Sequence, residues 1–281
     1  MKFHDFIMGL LCIGSTLTLS CSQRMSNQTS KQTNIMQLET HNKSLIRDFY
    51  RRAVNQGDIA FAEQLIADDY IQHSNAMKPG KAGIIEALTF MKQMPKPASA
   101  STPYFRLIAE SDFVVTNLSF DWEGRQKVVV DLFRFDNGKV AEHWDAVQDQ
   151  PETSLNGHAM MDGPLPIVDA DLTVTNKKIT IEFFQQIFIG RQLDALPQFV
   201  ATDLVQHQPE IANGINGLQA FLSQNASAIS RSVVHRIIAE GDFVVIQFEG
   251  TVAQKATMFY DIFRLRQGLI VEHWSVNQLI H

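Results

Sequence analysis

The sequence predicts an α+β fold written twice, as two tandem domains that each run three helices into an antiparallel meander. Three observations carry this expectation. ESDFVV at 110–115 returns as EGDFVV at 240–245, Asp131 as Asp261 and His143 as His273, each 130 residues on. Earlier in each copy the offset is 134, from DDYIQHS at 68–74 to TDLVQHQ at 202–208, so one four-residue deletion lies between the anchors. A period this long marks two copies of a whole domain, because solenoid repeats are far shorter. Within each copy the apolar pattern starts helical and turns to alternation, an order that belongs to α+β folds and not to βαβ winding.

Copy one occupies residues 40–148. In NKSLIRDFYRRAVNQGD, Leu45, Ile46, Phe49, Tyr50 and Ala53 share one helical face, with Thr40 or Asn42 as a cap and Gly57 as a stop. DIAFAEQLIADD, opened by Asp58, predicts a second helix; YIQHSN then leaves it as a short extended piece, and KAGIIEALTFMKQM predicts a third helix. FRLIAE, DFVVTNLSFDW, KVVVDLFRF and KVAEHWDAV are rich in Val and Phe and are separated by SD, EG and DNG turns, which predicts four strands. Copy two, 174–281, repeats the order: Ile181, Phe184, Ile187 and Phe188 mark its first helix and GINGLQAFLSQNAS its third. Its strands are VVHRIIAE, DFVVIQFEG, ATMFYDIFRLR and LIVEHWSVNQ. Residues 149–173, with Pro151, Pro164 and Pro166, form a linker too long for a turn, and its Met160-Met161 pair is expected to pack onto one of the domains.

The start of the chain reads differently. Lys2 precedes FIMGLLCIGSTLTLS, an apolar run too short for a comfortable membrane span, so residues 1–20 are expected to be a signal peptide. Ser20 before Cys21, with Leu17 and Leu19 upstream, resembles a bacterial lipoprotein signal. That resemblance implies lipidation of Cys21 and an exported chain held to a bacterial membrane by its lipid anchor alone. Thr18 and Asp5 depart from the pattern and leave an ordinary secretory signal or an uncleaved anchor open. Residues 21–39, rich in Ser, Gln and Asn, read as a flexible tether. Cys12 and Cys21 are the only cysteines, so the globular part has no thiol nucleophile, disulfide or cysteine–zinc cluster. Net charge is −6 with no basic stripe, which argues against a nucleic-acid partner.

The chemistry concentrates in the last hairpin of each copy. A three-residue loop Asp136-Asn137-Gly138 would set Asp131 opposite His143; a two-residue Asn-Gly turn would set Trp144 opposite Asp131. The three-residue reading is preferred because copy two has Arg266-Gln267-Gly268, and it sets Asp261 opposite His273. An aspartate among Val130, Leu132 and Phe133 must be paired, hydrogen-bonded or protonated if buried. His143, with His73 as a third member, could form an acid–base cluster in an apolar pocket, or Asp131 and His143 could simply satisfy each other. His73, His143 and Asp131 would also suit a two-His-one-carboxylate metal set, but no HxH or HExxH spacing supports it, and neither metal nor cofactor is expected. Trp144 and Trp274 follow the histidines and so face the other side of the sheet, where they are expected to join the two copies as an intramolecular pseudo-dimer.

ADDYIQH followed by DLFRF–turn–KVAEHW resembles the SnoaL-like group of the nuclear transport factor two-like superfamily, over residues 40–148 and again over 174–280. The resemblance implies cone-shaped α+β domains and, for some members, cofactor-independent aldol cyclisation or isomerisation by His/Asp chemistry on a small hydrophobic carbonyl compound. By resemblance to ketosteroid isomerase, Asp131 and Tyr50 would form an oxyanion hole, and the general base would fall at or beside His73, with Ser74 at the strict position. Copy two keeps His207, Asp261 and His273 but has Phe184 for Tyr50 and Ser275 for Asp145, so the first copy is the expected catalyst. The alternative is a non-catalytic lipid-anchored protein that binds a small hydrophobic ligand.

Overall fold

The computed structural model describes residues 14–74, 77–94, 105–225 and 229–280. Most of the expected signal peptide, including Cys12, lies outside these residues, and so does the side chain of Cys21. Helix α1 spans Gly14–Asp48 and continues as a π-helical turn, Phe49–Asn55. The 21–39 segment is therefore helical, not a flexible tether, and neither Thr40 nor Asn42 is a cap. No Gly or Pro falls between Gly14 and Gly57, so nothing stops helix propagating outward from the packed end at Ile46 and Phe49. From Ser30 to Thr40 the helix is almost wholly exposed. Among the described residues no helix is long and apolar enough to cross a membrane.

Gly57, at φ +69°, ends the π-turn, and Asp58 opens α2 (Ile59–Leu65) by accepting from the Phe61 amide at 3.1 Å. The second helix is shorter than its sequence suggests. From Ile66 the chain is extended, and Ile66–Gln72 is strand β1. Helix α3 (Gly80–Gln93) follows, then β2 (Phe105–Glu110), β3 (Phe113–Trp122), β4 (Arg125–Asp136) and β5 (Lys139–Asp149). The strand order is β1-β5-β4-β3-β2, with β1 parallel to β5, so the sheet is mixed and the purely antiparallel expectation is corrected. Copy two repeats this with α4 (Thr173–Phe183), a second π-turn (Phe184–Ile189), α5 (Leu196–Phe199), β6 (Val200–Gln206) and α6 (Gly214–Gln224). Strands β7 (Ile229–Glu240), β8 (Phe243–Val252), β9 (Lys255–Arg266) and β10 (Leu269–Leu279) complete it in the order β6-β10-β9-β8-β7.

The β4–β5 hairpin corrects the expected register. Asp136 pairs with Lys139 across a two-residue turn, with Asn137 at φ +50° and Gly138 at φ +77°. A bulge at Ala141 then shifts the pairing, so Phe133 faces His143 and Asp131 faces Asp145. Turn and bulge each move the register by one, and together they restore the parity that keeps Asp131 and His143 on one face. Copy two does the same at Gln267-Gly268 and Val271, placing Ser275 opposite Asp261.

Each sheet wraps its inner face around a core made with its own helices, centred on Phe49, Leu88 and Phe133 in copy one and on Phe184, Phe248 and Phe263 in copy two. The outer faces pack against each other in a third core that includes Val130, Leu132, Trp144, Ile262, Trp274 and the linker's Met160 and Met161. Contacts across it are reciprocal, as a two-fold demands. Ala109 N donates to Glu240 Oε2 (2.7 Å) and Ala239 N to Glu110 Oε2 (2.8 Å). Lys43 pairs with Glu240 and Lys177 with Glu110, while Val147 N reaches Gln278 and Asn277 N reaches Gln148.

Candidate active site

The π-turn turns Tyr50 toward the sheet, where its hydroxyl donates to Asp131 Oδ2 in a short bond and lies 3.0 Å from Thr116 Oγ1. π-Turns inside helices are rare and concentrate at functional sites. Thr116, directly paired with Asp131 across β3–β4, donates to the same oxygen at 3.2 Å. The other carboxylate oxygen meets His143 Nε2 at 3.1 Å. On its far side His143 Nδ1 faces the Gln72 amide, with Nε2 at 3.1 Å and Oε1 at 3.3 Å. Tyr70 OH donates to Gln72 Oε1, an assignment that turns Gln72 Nε2 toward Nδ1 and suits the Nε2–H imidazole; rotating the amide would suit imidazolium. The six side chains thus form one chain of hydrogen bonds inside an apolar cup.

Asp145 is the member left open. It lies opposite Asp131 in the ladder, Ser74 hydrogen-bonds it, and its Oδ1 is inaccessible to solvent without a hydrogen-bond partner. Burial and the Asp131 charge push the Asp145 carboxyl up, against the opposing pull of His143. Burial alone would pull His143 down, but its hydrogen bond to Asp131 and the charges of Asp131 and Asp145 outweigh that and raise it. Tyr50 is raised well above the usual phenol, by burial first and then by Asp131, so it stays a neutral hydroxyl that can donate to Asp131. Such an arrangement can accept a proton at one carboxylate while the adjacent imidazole holds or relays it.

Of the expected residues, Tyr50, Asp131 and His143 come together and His73 does not. Odd–even alternation carries His73 to the outer face, where its Nε2 meets Glu142 at 2.9 Å and its ring stacks on Trp144 at 4.4 Å. Gln72, Thr116 and Asp145 were missed. Thr116 carries no sequence signal of its own, whereas Asp145 was visible as the position where the copies differ.

Copy two assembles the same places with poorer chemistry. His273 Nδ1 meets Gln206 Oε1 at 2.9 Å, but Nε2 stands 3.7 Å from Asp261 Oδ2. Phe184 and Ile246 replace the two hydroxyl donors, and Asp261, fully buried, makes no side-chain hydrogen bond. His207, like His73, lies on the outer face, stacked on Trp274. A cleft of about 460 Å³ lies elsewhere on this domain, between Phe221, Val252 and Phe259, walled on one side by Gln148 and Leu155.

Asp131, His143 and Asp145 each offer a ligand atom within 4.8 Å of the others. The alternative metal set of His73, His143 and Asp131 does not form, because His73 lies on the outer face. In the observed trio, both Asp131 oxygens and His143 Nε2 are already engaged with Tyr50, Thr116 and each other, so a cation would have to break the network to bind.

The SnoaL-like polyketide cyclase family model matches residues 44–152, and the SnoaL-like domain model matches residues 181–273. The chain is two SnoaL-like domains in tandem. Single SnoaL-like or nuclear transport factor two-like domains of known structure cover about one copy. A SnoaL-like polyketide cyclase from Agrobacterium tumefaciens is 12% identical, covering 37% of this chain and 91% of its own, with TM-score 0.32. A protein of unknown function from Burkholderia xenovorans is 22% identical over 41% of this chain and 88% of its own, with TM-score 0.34. Another from Mesorhizobium loti is 18% identical over 38% and 94%, with TM-score 0.35. No curated protein matches the sequence. Within the first SnoaL-like domain all the hydroxyl and carboxyl groups of the network are present; the second retains the His/Asp pair and the glutamine behind the histidine.

Proposed function

We propose that the first SnoaL-like domain is a cofactor-independent acid–base enzyme of the cyclase or isomerase kind, acting on a small hydrophobic carbonyl compound. The observation that carries this is Asp145 Oδ1, a buried carboxylate oxygen without a partner beside a fully hydrogen-bonded imidazole. Asp145 takes the proton alpha to the carbonyl, and His143 stabilises or returns it. Asp131, held by Tyr50 and Thr116, fixes the orientation of His143 and does not serve as the oxyanion-hole acid that the ketosteroid isomerase resemblance implied. A carboxylate accepting three hydrogen bonds suits an orienting role, whereas an oxyanion donor would need a free proton. The rival reading, a binding protein, is favoured for the second domain, whose His/Asp pair lacks the hydroxyl donors and the second carboxylate and which carries a separate cleft.

The test is deuterium exchange alpha to the carbonyl over a panel of small apolar ketones, with a chelator present throughout. Wild type and His73→Ala are expected to exchange at the same rate, and Asp145→Asn to lose about 10²- to 10⁴-fold, the usual contribution of a positioned base. Equal, background-level exchange in all three proteins would reject the catalytic reading and leave ligand binding.

A further inference from the structure

The two-fold relating the domains is broken in one place. On the second domain's side the linker lies across an outer-face cage made by Trp274, His207, Glu272 and, from the first domain, Arg106. Arg106 sits 4.1 Å over the Trp274 ring, and His207 stacks on that ring at 4.6 Å. These donors hold linker carbonyls: Arg106 Nε to Pro164 (3.1 Å), Arg106 Nη2 to Asp162, Trp274 Nε1 to Asp162 (2.9 Å) and His207 Nδ1 to Ala159 (3.2 Å). Further along, Val168 N donates to Asp242 Oδ1 at 2.9 Å. Gly163, at φ +95°, is the contact point, where a Cβ would meet Glu272 at 2.8 Å and Trp274 at 2.9 Å.

An equivalent cage exists on the first domain's side. Arg236 lies 3.8 Å over Trp144, His73 stacks on that ring, and Glu142 binds His73. Even the supporting bond is copied, Arg106 Nη1 to Asn117 (2.9 Å) and Arg236 Nη1 to Gln247 (2.8 Å). No linker reaches it, because the chain enters the first domain through α1, which runs straight outward where copy two folds its linker back. Glu39 takes the place of Thr173 in receiving the next amide, Ser111 N against Gly241 N, each at 2.8 Å. Among the described residues, Trp144 Nε1, His73 Nδ1, Arg236 Nε and Nη2 and the Asp112 carboxylate make no hydrogen bond, although each counterpart that faces the linker makes one. Arg236, Asp112 and Phe113 are half-buried and His73 is exposed, whereas Arg106, Asp242, Phe243 and His207 are buried. A groove of about 280 Å³ runs between Phe113, Asp112 and Arg236.

We infer that this uncovered cage and groove are a docking site for an extended segment of a partner protein, of the same chemistry as residues 159–168: an apolar pair, then Gly-Pro, presenting successive carbonyls to Arg236, Trp144 and His73. The structure holds such a segment on the matching surface, and the donors that would receive a second one are stacked and aimed. The site is continuous with the apolar core between the sheets, so a docked segment would extend an interface already formed. It is independent of the acid–base site, which lies on the opposite face of the same strands. It also gives His73 and Trp144, two residues outside the catalytic network, a shared role.

Calorimetric titration of the full chain with a synthetic NGHAMMDGPLPIV peptide, residues 156–168, tests the inference. Saturable one-to-one binding is expected. It should weaken by at least about tenfold in His73→Ala and in Arg236→Met, as anchors of a buried patch do, and vanish for the peptide carrying Val in place of Gly163. Both protein variants should keep the wild-type far-UV spectrum and the ketone exchange rate. No binding overturns the inference. Binding unchanged in Arg236→Met and His73→Ala also overturns it, because the peptide would then have displaced the resident linker.

Discussion

Asp131 and Asp145 stand directly opposite each other across two strands, a placement that ordinarily costs stability because like charges face at close range. The site lowers that cost by surrounding Asp131 with donors and letting Asp145 hold its proton longer. The shift in His143 has a consequence for folding. Its pKa is raised above 6.5, so between pH 6.5 and the raised value the native chain binds more protons than the unfolded one. The contribution is complete below pH 6.5 and is lost as pH climbs through the folded value. Asp145, also raised, from 3.8, acts in the same direction starting at lower pH. The urea midpoint is therefore expected to be higher at about pH 6 than at about pH 8.5, with a smaller gap in His143→Gln. A gap of the same size in the variant would show that His143 is not the group titrating.

At the scale of elements, the two hairpins use one geometry with unequal residues. Asn137-Gly138 suits a turn with both φ angles positive; Gln267-Gly268 places a glutamine at φ +53°, where a Cβ is strained. Gln267→Asn should stabilise the second domain by up to about 1 kcal/mol, and Asn137→Gln should cost the first a similar amount, both read from denaturation midpoints. The absence of Asn-Gly in copy two had argued for a three-residue loop, and the turn ignored it because strand pairing on both sides outweighs one strained residue. Helices and strands were otherwise legible from spacing, as was the sharing of a face by Asp131 and His143, since the parity survives either way. The bulges were not legible, because Ala141 and Val271 carry no mark that separates them from ordinary strand residues. Neither was β1: YIQHS contains too few alternations to reveal a parallel partner 71 residues away, where Gln72 meets His143. That single unseen pairing decides that Gln72, not His73, faces the site.

For the whole molecule, the linker is a structural element in its own right. Met160 and Met161 sit in the core between the sheets, and four carbonyl or amide groups from Ala159 to Val168 are held by buried side chains through five hydrogen bonds. Gly163→Val in the intact chain should lift this segment from Trp274 and Arg106. Limited proteolysis is expected to cut within 149–173 faster than in wild type; an unchanged cleavage pattern would mean that the segment is held elsewhere. The repeat showed from sequence that two domains exist, and it could not show that one approach to the fold is a bent linker and the other a straight helix. Polar composition in 21–39 looked like a tether because hydrogen-bonding side chains are common in loops, yet with no breaker in the run the helix simply continues.

The paired turn and bulge set a rule for how this hairpin can change length. Strand β5 offers its imidazole to one side and its indole to the other, and Ala141 is the one spare residue between Val140 and Glu142, so removing it alone would close the ladder and leave His143 opposite Phe133 and Trp144 in the seam. A second single deletion, with no spare residue left to absorb it, would drive the imidazole into the seam and Trp144 into the cup.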